Sequence, residues 1–117
     1  MARCPKTVAE AFKRLDKRLS EAEKKTIREA EDMCEFHFEL GMWIRNYWFY
    51  GGENENIGLL LKELGEDVFF HEESGEYLFI GGGDSFSSVV LDAYQKYLKN
   101  DTLKIWQLYN IKHYTLS

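Results

Sequence analysis

The sequence predicts a mainly α domain with a minor β component: a compact helical fold around one aromatic-rich helix, with one small β-hairpin. Three observations point there. Apolar residues recur at three- and four-residue spacing through most of the chain. The stretch "ELGMWIRNYWFYGG" (Glu39–Gly52) gathers two of the three Trp with Tyr, Phe and Met around a single Arg. The stretch "DVFFHEESGEYLFI" (Asp67–Ile80) joins two β-prone runs through Ser-Gly, a hairpin signal. At 117 residues the length fits one domain, 1–117. A chain of this size buries roughly two-thirds of the surface it exposes when unfolded. Hydrophobic residues at 44%, a third of them aromatic, are ample for that core.

The elements follow in order. Thr7 with Glu10 fits a capping box, and Val8, Phe12, Leu15 and Leu19 recur behind it at helical spacing. This predicts a first helix over 7–18. Ser20 with Glu23 repeats the device and opens a second, highly charged helix over 21–32, with Ile27 and Ala30 inward. The third helix spans 34–49. At 100° steps Phe36, Leu40, Trp43, Ile44, Tyr47 and Trp48 form one arc, and Phe38, Met42 and Phe49 a second patch. Glu39 and Asn46 fill the polar gap. A helix apolar on nearly all sides belongs at the centre. Gly51-Gly52 ends it.

Asn54 or Asn56 is the expected cap of a short helix, Ile57–Leu64, stopped by Gly65. The hairpin comes next. Such a hairpin is marginal alone and must pack on the helices. Asp84 or Ser85 is the expected cap of a helix over 85–99, with Phe86, Val89, Val90, Ala93, Tyr94, Tyr97 and Leu98 inward. The tail "LKIWQLYNIKHYTLS" fits a short helix at 102–110, and its β-branched and aromatic content also suits a strand.

Charge and composition exclude several function classes. Fifteen basic against twenty acidic residues give a formal net charge of −5. That balance disfavours nucleic acid, which requires clustered Lys and Arg to displace counterions. The basic cluster Lys13, Arg14, Lys17 and Arg18 alternates with acids and reads as a solvated helix face. The start "MARCPKTVAEAF" lacks the apolar region of a signal peptide, and no run nears the ~18 apolar residues of a membrane span. A cytoplasmic protein that avoids membranes is expected. Cys4 and Cys34 lack a CxxC partner and are expected as free thiols. His37, His71 and His113 are scattered, so neither metal nor cofactor is expected.

Arg45 is the informative polar residue. On the wheel it falls between Gly41 and the Phe38/Met42/Phe49 patch. A guanidinium stacks well on aromatic faces, but burying it requires an anion. One reading makes Arg45 structural, paired with Asp84 or Asp92. The other makes it a ligand-facing group that grips a partner carboxylate or phosphate, with Trp43, Asn46 and Trp48 beside it. Trp and Arg are also enriched in binding hot spots. "FIGGGDS" reads as a turn and helix cap: it lacks the Lys-Ser/Thr of a phosphate loop and the G-x-G-x-x-G pattern. No catalytic constellation emerges. Ser87 and Ser88 sit on an ordinary helix start. His71 beside Glu72 and Glu73 lies on an exposed hairpin, and nothing nearby tunes Glu35 or Glu39.

At "LGMWIRNYW" (Leu40–Trp48) the chain resembles a bacterial domain family of unknown function. Its members pair a segment like "LDKRLSEAEKKTI" (Leu15–Ile27) with an "LGMWIRNxW" helix and close on "HPDDMSSIILxxYxRYLxG". The last is similar to "GGDSFSSVVLDAYQKYLKN" (Gly82–Asn100). The likeness runs over about Leu15–Lys99. Here Gly82-Gly83 replace His-Pro, Ser85 replaces the second Asp, and a hairpin is inserted at about Asp67–Ile80. The resemblance implies a helical fold with Arg45 and Asp84 as a coupled pair, and its small members look like immunity or antitoxin proteins.

The expected function is therefore a non-enzymatic protein-binding module, an immunity- or antitoxin-like inhibitor of another protein such as a basic toxin. The alternative is a sensor or enzyme for a small anionic ligand, with a pocket of Trp43, Arg45 and Trp48. A third possibility is self-association through Trp106, Tyr109 and Tyr114. The sequence leaves the oligomeric state open.

Overall fold

In the computed structural model, which describes residues 3–99 with the side chains of Cys34, His37 and Asp84 excepted, both cap signals open helices. Helix α1 (Val8–Arg18) begins where Thr7 Oγ1 accepts the Glu10 N–H at 3.1 Å. The Glu10 carboxylate reaches back to the Lys6 N–H, at 3.3 Å, rather than to that of Thr7. Val8, Ala11, Phe12 and Leu15 form its buried stripe. Helix α2 (Glu21–Glu29) has the complete box: Ser20 Oγ accepts from the Glu23 N–H, and Glu23 Oε1 from the Ser20 N–H. It stops earlier than the expected residue 32. Its last turn is closed from outside, where Gln95 Nε2 donates to the Ile27 and Ala30 carbonyls at 3.0 and 2.8 Å.

Helix α3 spans 34–49, as expected, but much of it is widened. His37–Gly41 and Arg45–Phe49 are π-helical, and the Tyr50 N–H donates to Arg45 O five residues back, at 2.8 Å. Each widened turn holds an extra residue, so the 100° wheel no longer applies. The buried side chains follow spacing four instead: Leu40, Ile44 and Trp48, with Phe36 half-buried before them. The second apolar patch therefore splits. Phe49 is buried, but Phe38 is 75% exposed, and Met42, Tyr47 and Tyr50 also reach solvent. The helix is central on one side only, which corrects the expectation of a rod enclosed all round.

Helix α4 (Asn54–Glu63) begins before the expected Ile57, and neither Asn caps it. Asn56 donates to Cys4 O at 3.1 Å, and Asn54 turns towards the hairpin. Capping competes with tertiary bonds for the same side-chain groups, and here the tertiary bonds win. Gly65, at φ +89°, ends the helix as expected: the Glu66 N–H donates to Leu61 O and the Gly65 N–H to Lys62 O.

Strands β1 (Val68–His71) and β2 (Glu76–Phe79) form the hairpin, antiparallel with Val68 opposite Phe79 and His71 opposite Glu76. It docks through β2 on α4. Asn54 donates to Tyr77 O at 3.0 Å and accepts the Tyr77 N–H at 2.7 Å. Gly58 leaves room for the Tyr77 ring, which a Cβ there would overlap.

Helix α5 (Gly83–Lys99) starts two residues earlier than expected, with the Phe86 N–H donating to Gly82 O. Asp84 and Ser85 therefore lie within its first turn instead of capping it. The helix packs along α3 and against α2, and Phe86, Val90, Leu91, Ala93 and Tyr94 enter the core. The expected helix at 102–110, with Trp106, Tyr109 and Tyr114, lies outside the described residues.

Candidate functional site

The aromatic helix distributes its expected site residues over three environments. Trp48 is 0% exposed, a core side chain with no free face. Arg45 is half-buried. Its stem lies against Gly83, where a Cβ would stand 2.6 Å from Arg45 Cγ and 2.7 Å from Tyr50 Cε1. Its Nε donates to Asn46 Oδ1 at 3.2 Å, and its Cζ lies 5.5 Å from the Tyr50 ring centroid. Arg45 thus meets α5 at the residue before Asp84. The Asp84 side chain itself lies outside the described residues.

Trp43 belongs to a different surface. Its indole stacks on Tyr47, with centroids 5.5 Å apart and planes 8° apart, and meets Trp48 edge-on. Each stacked ring carries a guanidinium: Arg18 Cζ is 4.0 Å from the Trp43 centroid, and Arg3 Cζ 4.6 Å from that of Tyr47. Trp43 walls an open groove of about 660 Å3 between α2 and α3. Leu19, Ile27, Phe36 and Leu40 contribute apolar surface, and Arg18, Glu23 and Glu39 its charges. Trp43, Arg45 and Trp48 were expected to share one pocket; neither Arg45 nor Trp48 lines this groove.

Several other polar groups join elements of the fold. Asp16 accepts from Tyr94 Oη at 2.7 Å and Tyr97 Oη at 3.3 Å, joining α1 to α5. Burial, and then this bond, push the Tyr94 hydroxyl far above its usual range. Glu53 accepts the N–H groups of Arg3 and Cys4, each at 3.2 Å, and tethers the N-terminal segment. The Cys4 N–H is the main reason the Glu53 carboxyl titrates below its ordinary value. Cys4 is a free thiol as expected, buried, with its pKa pushed up to about 12 by burial and by the Glu53 charge. Such a thiol is inert at neutral pH. His71 holds the turn, its Nδ1 2.9 Å from Ser74 Oγ. Among the described residues no three His, Cys, Asp or Glu side chains gather as metal ligands. None of the helices described is long and apolar enough to cross a membrane.

One surface escaped sequence reasoning. Residues alternate across the hairpin, so Phe69 and Leu78, which face each other, point away from the helices, and Ile80 continues their row. They are 60%, 51% and 82% exposed. Acids flank them in the sequence: Glu66, Asp67, Glu72, Glu73 and Glu76. From Asn46 to Gln95 the sequence has ten Asp and Glu and one Lys, Lys62. The whole-chain value of −5 hides this segregation.

No curated protein and no solved structure matches this chain. A family model described as a domain of unknown function (DUF6794) matches residues 4–74. The matched span holds α1 to α4, including the "LGMWIRNYW" turns of α3, and runs into the hairpin as far as Ser74; the Asp84 helix start lies beyond it. With more than half its length inside that model, the chain belongs to the DUF6794 family, a family of unknown function.

Proposed function

We propose that this chain is a non-enzymatic protein-binding module whose working surface is the outer face of the hairpin, and that it acts as an immunity- or antitoxin-like inhibitor of a basic partner. The observation that carries this reading is the row Phe69, Leu78 and Ile80, turned to solvent inside the acidic segment. An apolar centre with a charged rim is the anatomy of a protein interface. The apolar side chains supply affinity once covered, and the acids speed encounter with a basic surface. The alternative, a small anion bound beside Trp43, has less support, because Glu23 and Glu39 line that groove with Arg18.

The test uses the folded chain as bait in lysate of its native host. One stoichiometric basic protein is expected, released by high salt and lost with the Phe69→Ser/Leu78→Ser variant. Recovery of nothing at low salt, or equal recovery by the double variant, overturns the reading.

A further inference from the structure

We infer that the groove between α2 and α3 is a binding site for an organic cation, a guanidinium or ammonium group carried on an apolar stem. Its size, about 660 Å3, lies in the range of small-ligand sites. The chain already shows what its aromatic wall accepts. The Arg18 guanidinium lies 4.0 Å from the Trp43 ring centroid, and Tyr47 stacks on the same indole and holds it in place. Arg18 is the last residue of α1 and is exposed, so this contact is solvated and readily exchanged. A second cation can take the indole face while Arg18 swings into water.

Charge complementarity selects the sign of the ligand. Glu23 on α2 and Glu39 on α3 both line the groove, and among the described residues neither forms an ion pair. With Arg18 displaced, two carboxylates remain and no cation opposes them. An anion would meet repulsion there. The Ser20 N–H holds the Glu23 carboxyl below its ordinary value, which favours the charged form. The apolar surface of Leu19, Ile27, Phe36 and Leu40 suits the methylene stem behind a charged head. The site shares no residue with the hairpin face, so it stands whether or not the protein-binding reading holds.

Two sources offer this chemistry, a free amine metabolite and an Arg side chain of a partner. Two probes separate them: agmatine for the first, and acetyl-Leu-Arg-Leu-amide for the second, with acetyl-Leu-Gln-Leu-amide as the uncharged control. Binding is read by amide and indole chemical shifts on the full chain. Saturable shifts are expected at Thr26, Glu39 and the Trp43 indole with at least one cationic probe and not with the control. Arg18→Ala, which removes the competing cation, tightens binding about threefold. Glu23→Gln/Glu39→Gln weakens it about tenfold or more. Gln at position 23 keeps the capping box, so the variant retains its fold, checked by its melting temperature. Agmatine binding as tightly as the peptide assigns the site to a free metabolite; tighter peptide binding assigns it to a partner's side chain. No saturable shift with either cation, no gain in Arg18→Ala, or unchanged affinity in the double Gln variant overturns the inference.

Discussion

The contact of α1 with α5 and the docking of the hairpin use similar residues to opposite ends. Where α1 meets α5, Phe12, Tyr94 and Tyr97 pack their rings with centroids 4.8 to 5.9 Å apart, and Asp16 accepts a hydrogen bond from each phenol. Every large apolar group there has a partner, and the polar atoms are satisfied. The hairpin is also aromatic but encloses only part of its inner face, through Tyr77 on Gly58 and Phe79 against Phe86, while Phe70 beside Tyr77 is 54% exposed. Its outer face leaves Phe69, Leu78 and Ile80 in water. Packing accounts for the aromatics where α1 meets α5 and leaves the exposed Phe69 of the outer face unexplained. The contact of α1 with α5 contributes to stability, and the outer face of the hairpin is the surface that the proposed partner would cover.

Three measurements sharpen or break this division. Trp48→Ala removes the largest fully buried side chain and is expected to cost about 3–5 kcal/mol, read by denaturant unfolding. A loss under 1 kcal/mol would mean that α3 is not the inner helix. Gly58→Val drives a branched side chain into the Tyr77 ring, a cost of about 1–3 kcal/mol with faster amide exchange in β2. Unchanged protection at Tyr77 would mean that the hairpin is held otherwise.

The smallest effect concerns acid. The Glu53 and Glu23 carboxyls titrate below their ordinary values in the folded chain. Such groups stabilise the fold fully above the unfolded-state value, near pH 4.5, and lose that contribution as pH falls through the lower folded value. Stability should hold steady from neutral pH to about 5 and decline below it, less steeply in Glu53→Gln. A Gln variant with an unaltered acid limb would remove Glu53 from the tether of the N-terminal segment.

Much of the fold was legible because its signals are local. Thr7 and Ser20 open their helices through bonds to residues three positions on, and Gly65 closes α4 by its own backbone angle. The register of the hairpin follows from the turn before Gly75. The faces of α3 were not legible, since the wheel assumes 3.6 residues per turn and π-helical turns hold more. Asn54 and Asn56 resembled caps because an amide serves a helix start and a distant carbonyl equally well. The candidate groove needed Arg18 and Trp43 in one place, and no spacing rule joins residues on separate helices. The acidic segment was readable all along, but a whole-chain sum averaged it away.

The sequence by itself determined that α1 and α2 open behind Thr7 and Ser20, that α4 stops at Gly65, which runs form strands, and that 34–49 is the aromatic helix. These depend on backbone groups and neighbours a few residues away. Only the tertiary structure decided that Trp48 is enclosed while Trp43 is accessible, that Arg45 rests on Gly83, and that Phe69 and Leu78 face outward. Those outcomes depend on which surfaces meet, and burial is set by the arrangement of whole elements.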